Sequence, residues 1–109
     1  MAIKNKQPFS IVISPQAKED ILNILRYLQE SWSQKTTDNF LQKLEIFYSI
    51  ISINPNLFGY YNRTKGIRKY ALTKQNIIYY RSRKNIIEII TVFDSRQNPK
   101  KLKTIIKKS

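Results

Sequence analysis

Apolar residues change their period along the chain. Phe9 to Ile13 (FSIVI) is a short β-rich run that ends at Ser14-Pro15. Proline does not continue a central strand but suits the first turn of a helix, with Ser14 as N-cap. Ala17, Ile21, Ile24, Leu25 and Leu28 then recur at helical spacing, which predicts a helix over 15–30. Ser31 to Ser33, around Trp32, break the pattern. A second stripe, Phe40, Leu41, Leu44, Phe47, Tyr48 and Ile51, predicts a helix from Gln34 to Ser52, stopped by Asn54-Pro55. With so few residues between them, the two helices are expected to form an antiparallel hairpin, with these aromatics in the core. Asn56 to Lys65, with Gly59 and Tyr60-Tyr61, reads as a loop. From Gly66 onward the period becomes two. Ile67–Leu72, Asn76–Arg83 and Ile86–Phe93 read as strands of an antiparallel meander, with turns near Thr73–Gln75 and Arg83–Asn85. The last run, IIEIITVF, is apolar on both faces and is expected to be central.

The order strand, helix, helix, strand, strand, strand defines an α+β fold. The N-terminal strand is followed by an antiparallel helical hairpin packed on one face of a twisted, mainly antiparallel sheet (β-α-α-β-β-β). No helix is left for the opposite face, which is expected to stand open to water or to a partner. On that pattern Ile77, Tyr79 and Arg81 share one face and Ile78, Tyr80 and Ser82 the other, while Arg68 and Tyr70 alternate with Ile67 and Lys69. The tail from Pro99 to Ser109 holds five lysines and fits either a short helix or a segment without structure of its own. Residues 1–8 and 104–109 are expected to be flexible.

The length, 109 residues, fits one domain over 1–109, and 41% hydrophobic residues suffice for a packed core. Charge adds an asymmetry. Twenty Lys and Arg against seven Asp and Glu give +13. Residues 1–50 carry only +1 of it, and residues 51–109 carry +12. Solubility alone requires no such segregation, so the second half points to an anionic partner. Cysteine and histidine are absent. That removes disulfides, thiolate or imidazole metal sites, Ser-His-Asp and Cys-His catalysis, and an imidazole general base. No cofactor or metal is expected. Met1 to Ser10 has no apolar signal region, and no apolar run approaches a membrane span. The expected location is the cytoplasm, with no membrane partner.

Several segments together carry a family resemblance. They are Ser14-Pro15 with Ala17, Asp20, Ile21, Ile24 and Tyr27; Phe40 and Leu44; Asn54-Pro55; Gly66-Ile67-Arg68-Lys69; Ile78-Tyr79-Tyr80-Arg81; and Asp94-Ser95-Arg96-Gln97-Asn98-Pro99. In order and spacing over about residues 9–103 the chain resembles RelE/ParE-family toxins of type II toxin–antitoxin systems. The resemblance implies the fold above and a cognate acidic antitoxin in a hetero-oligomer. It also implies one of two actions. RelE-like members cut mRNA in the ribosomal A site, and ParE-like members bind and poison DNA gyrase.

Cleavage needs a proton acceptor, a proton donor and cations around the phosphorane. By resemblance, Lys69 matches a RelE lysine and Arg96 a phosphate-binding arginine. Ala71 stands where a second lysine belongs and Ile77 where an arginine belongs. The C-terminal tyrosine position falls near Leu102, and no Tyr follows Tyr80. About two of five roles are filled, with Arg81 and Tyr80 as substitutes, which favours the ParE-like branch and leans against an enzyme. An enzyme built from these residues would be a metal-independent endoribonuclease. The binding reading asks for a basic surface, assigned to Arg68, Lys69, Tyr79, Arg81, Arg83 and Arg96, with Arg96, Lys69 and Arg81 together on the open face. An Asp94–Arg96 pair is the competing structural role for Arg96. A third reading is an inert family member that binds only its antitoxin. A nucleic-acid-binding module outside the family lacks the usual RNA-recognition signatures.

Overall fold

Ser14 organises the N-terminal half. In the computed structural model, which describes residues 8–109, its hydroxyl oxygen accepts the Ala17 N–H at 3.0 Å and caps helix α1 (Pro15–Ser31). The same hydroxyl donates to the Ile90 carbonyl at 2.7 Å, pinning the helix start to the sheet. Only Trp32 and Ser33 separate α1 from α2 (Gln34–Ile53), and Ser33 caps α2 by accepting the Thr36 N–H. Ala17, Phe40, Leu44, Phe47 and Ile51 are buried against the sheet, as the apolar stripes predict. Of the stretch 1–8 expected to be flexible, only Pro8 falls within the described residues.

The sheet has five strands in the order β1-β5-β4-β3-β2. These are β1 (Ser10–Ile13), β2 (Tyr60–Asn62), β3 (Ile67–Ala71), β4 (Asn76–Arg83) and β5 (Ile86–Asp94). β3, β4 and β5 form the antiparallel meander, and β1 runs parallel to β5. β5 lies between β1 and β4 and is buried on both faces from Ile89 to Phe93, as its continuous apolar run implies. Two features depart from expectation. Tyr60–Asn62, read as loop, is a short edge strand with a shifted register on β3; three residues are too few to show a period. In β5, Ile90 has no partner, since Tyr79 faces Thr91 and Tyr80 faces Ile89. This bulge raises the local twist. Nearby, the Thr91 hydroxyl and the Val92 N–H both donate to Asp20 of α1.

The opposite face of the sheet is not bare. Helix α3 (Pro99–Lys107), capped by Asn98, packs Leu102, Ile105 and Ile106 against Ile67, Tyr79, Ile90 and Phe93. The expectation of an uncovered face therefore fails over this half of the sheet, and of the two readings of the tail the short helix is the one present over Pro99–Lys107. Spacing explains the helix. Leu102, Ile105 and Ile106 recur at 3 and 4 residues on one side of a lysine-rich helix, and the charge of the tail hides that short stripe. Burial of Leu102 and Ile106 stabilises the arrangement by about 1.5–3 kcal/mol each. The end of the face away from α3 stays accessible, around Val12, Arg83 and Ile86.

Candidate functional site

The predicted site residues fall into three places. Lys69, Tyr79, Arg81 and Arg83 share the α3 side of the sheet. Lys69 is exposed and pairs with Tyr79 in the ladder. The Tyr79 ring is buried edge-on to Tyr61, with centroids 4.9 Å apart, and burial, then the neighbouring Tyr61, raises its hydroxyl pKa. Arg81 is 8% exposed, and its Nε donates to Glu88 Oε1 at 3.2 Å. Arg83 is exposed at the end of β4.

Arg68 and Tyr80 belong to the hairpin side. Arg68 Nη1 donates to the Phe58 carbonyl at 2.7 Å, and its guanidinium lies 3.9 Å from the Tyr60 ring centroid. It clamps the chain leading into β2. Tyr80 is wholly buried, with its hydroxyl donating to the Pro55 carbonyl at 3.0 Å. Burial pushes its pKa up to about 12, outweighing the opposing influence of Arg68. As a proton donor to an external substrate, Tyr80 is out of reach.

Arg96 occupies a third place, so the grouping of Arg96 with Lys69 and Arg81 does not hold. It follows β5 at the end where Asn76 pairs with Asp94, whereas Arg81 and Arg83 lie at the other end of β4. Asp94 grips it through Oδ1 to Nε (3.0 Å) and Oδ2 to Nη2 (2.6 Å), and Oδ1 also accepts the Arg96 N–H at 2.9 Å. This hydrogen bonding is the leading reason that the Asp94 carboxyl sits below its ordinary range. The Asp94–Arg96 pair is thus present, and it still leaves the outer guanidinium face exposed.

Arg96 stands between two adjoining hollows at the end of the helical hairpin. One, of about 390 Å³, is walled by Asp20, Asn23, Tyr27, Gln75 and Asn76. The other, of about 450 Å³, is walled by Tyr27, Trp32, Asn39, Phe40, Lys43 and Thr73. Tyr27 and Trp32 are 51% and 64% exposed. Exposed Tyr, Trp and Arg grouped around concave surface are the residue types that anchor protein–protein contacts. Sequence reasoning placed neither aromatic in a site. Trp32 only broke a helical pattern, and Tyr27 only carried the resemblance. The available signal was that Tyr27 lies off the stripe of Ile21, Ile24, Leu25 and Leu28.

The chemistry of this corner favours contact over proton transfer. Its carboxylates are already engaged, Asp20 by Thr91 and Val92, and Asp94 by Arg96. Among the described residues, no group of three or more His, Cys, Asp or Glu is arranged to hold a metal ion. No helix among them is long and apolar enough to cross a membrane.

Comparison with known proteins agrees with this architecture. The model of the ParE toxin of the type II toxin–antitoxin system, parDE, matches residues 11–99. The fold resembles a chain of the chromosomal ParDE system from P. aeruginosa, with a TM-score of 0.67 and 14% identity, covering 82% of this chain and 98% of that one. It also resembles the YoeB dimer from Staphylococcus aureus, with a TM-score of 0.57 and 22% identity, covering 79% and 95%. No curated protein matches the chain in sequence. The chain belongs to the ParE toxin family of type II toxin–antitoxin systems.

Proposed function

We propose that this toxin arrests growth by ParE-like docking on DNA gyrase and is neutralised by a cognate acidic antitoxin, as part of a cytoplasmic plasmid-stabilisation module. One observation carries the reading: the groups that cleavage would need are dispersed. Lys69 lies on the α3 side of the sheet, Tyr80 is sealed in the core, and Arg96 is held by Asp94 at the hairpin corner. A phosphorane requires its cations and its proton donor around one atom. Docking has no such requirement, and the Tyr27–Trp32–Arg96 corner supplies anchors for it.

Induced expression with parallel mapping of mRNA ends and DNA breaks tests the proposal. DNA breakage with intact mRNA is the expected result. Cuts at ribosomal A sites would reject gyrase docking in favour of RelE-like cleavage, and normal growth would favour the inert reading. Co-expression of a small acidic partner encoded beside the gene is expected to restore growth.

A further inference from the structure

Exposed apolar residues and unpaired cations are segregated on this molecule. The large exposed apolar side chains of the described residues include Leu22, Trp32, Ile46, Ile53, Leu57 and Ile86, and none follows residue 86. From Ser95 onward the chain has no acidic residue and six cations, five of them on or just after α3. Lys100, Lys103 and Lys107 are spaced by three and four residues, so they line one side of the helix. All three are exposed, and among the described residues the ion pairs are Arg81–Glu88 and Arg96–Asp94. Lys65 adds a fourth ammonium beside them. Its Nζ donates to the Ile106 carbonyl at 3.0 Å, and it shares a shallow cleft with Lys103 and Lys107.

We infer that this lysine face of α3 binds the phosphate backbone of duplex DNA. The surroundings disfavour a membrane, an apolar-anchored protein and a single strand as readers of this surface. A lysine-rich amphipathic helix suits an anionic membrane when its apolar side is free to insert. Here Leu102 and Ile106 are committed to the sheet. A protein partner needs exposed apolar or aromatic anchors, and the one aromatic bordering this cleft, Tyr61, is half-buried and packed on Tyr79. Single strands are held by successive bases stacking on exposed aromatics, and Tyr61, already engaged with Tyr79, gives no such series. Lysines alone suffice for a duplex backbone, whose charges recur about every 1.7 Å along the axis. Lys100 to Lys107 rises about 10 Å along the helix, room for several phosphate contacts. This inference stands independently of the gyrase reading.

Anisotropy of a labelled duplex DNA, titrated with the full chain across a range of KCl concentrations, tests it. The triple variant Lys100→Gln, Lys103→Gln, Lys107→Gln is expected to bind about tenfold or more weakly at moderate salt. Its salt slope should flatten by about 2.7, the counterion release of three contacts. Thermal unfolding verifies the fold of the variant. Lys18→Gln with Lys35→Gln on the hairpin should bind as the parent does. Equal binding by parent and triple variant, or equal loss in the hairpin variant, would overturn the inference. Competition by polyglutamate as strong as that by unlabelled duplex DNA, at equal charge, would assign the face to an acidic protein. Equal competition by duplex RNA would overturn the assignment to DNA.

Discussion

Asp20 in the first helix accepts hydrogen bonds from two groups of the last strand, the hydroxyl of Thr91 and the N–H of Val92 at 3.0 Å. β1 pairs with β5 only as far as Ile89, so beyond it Asp20 of α1, and no neighbouring strand, meets this edge of β5 at Thr91 and Val92. Thr91 is fully buried, so removing the acceptor strands a polar group. Asp20→Ala is expected to lower stability by about 1–3 kcal/mol, and Asp20→Asn by less, because the amide oxygen still accepts. Urea denaturation measures both.

Asp94 predicts an acid-sensitive component of stability. Its folded pKa lies below the ordinary 3.8, chiefly through the Arg96 hydrogen bonds. The unfolded chain therefore takes up this proton first as pH falls. The contribution is complete well above pH 3.8 and is lost as pH drops through the folded value. Asp94→Asn is expected to flatten the stability profile on the acid side of pH 4 and to leave its shape unchanged near neutrality. Urea midpoints measured across that range provide the check.

Tyr48 predicts a substitution that costs nothing. Its hydroxyl is buried without a hydrogen-bond partner, and burial pushes its pKa up to about 12. Tyr48→Phe keeps the ring against Phe47 and removes the unsatisfied group. Stability is expected to hold or to rise by up to about 1 kcal/mol. A loss above that in chemical denaturation would show that the hydroxyl has a partner in solution.

Lys84 lies in the two-residue turn between β4 and β5 with a left-handed φ of 54°. A side chain with a Cβ is disfavoured there by about 1–2 kcal/mol. Lys84→Gly is expected to raise stability by about 0.5–1 kcal/mol after its greater unfolded-state entropy is deducted. The shift of the thermal midpoint reads this out.

The hydrophobic pattern made the two helices, the meander and their order legible, since each rests on a long stripe or an alternating run. The pairing of β1 with β5 rests on contacts between distant segments and was not read from the pattern. The cover supplied by α3 was missed because three apolar residues are set among five lysines. Alternation along β4 assigned the sides of Tyr79, Tyr80 and Arg81 correctly. It gave no information on Arg96, which lies beyond the last strand where period two no longer applies. The same limit hid Tyr27 and Trp32, which meet Arg96 only once the hairpin closes over the β3–β4 turn.

Inhibition of purified gyrase tests the docking proposal most directly. Supercoiling of relaxed plasmid by gyrase and ATP is expected to fall as the chain is added. A Trp32→Ala, Arg96→Ala variant should require about tenfold more protein, since both proposed anchors are lost, whereas Lys69→Ala should act as the parent does. Full supercoiling at saturating chain, with site-specific cuts in mRNA in a purified translation reaction, would contradict docking on gyrase.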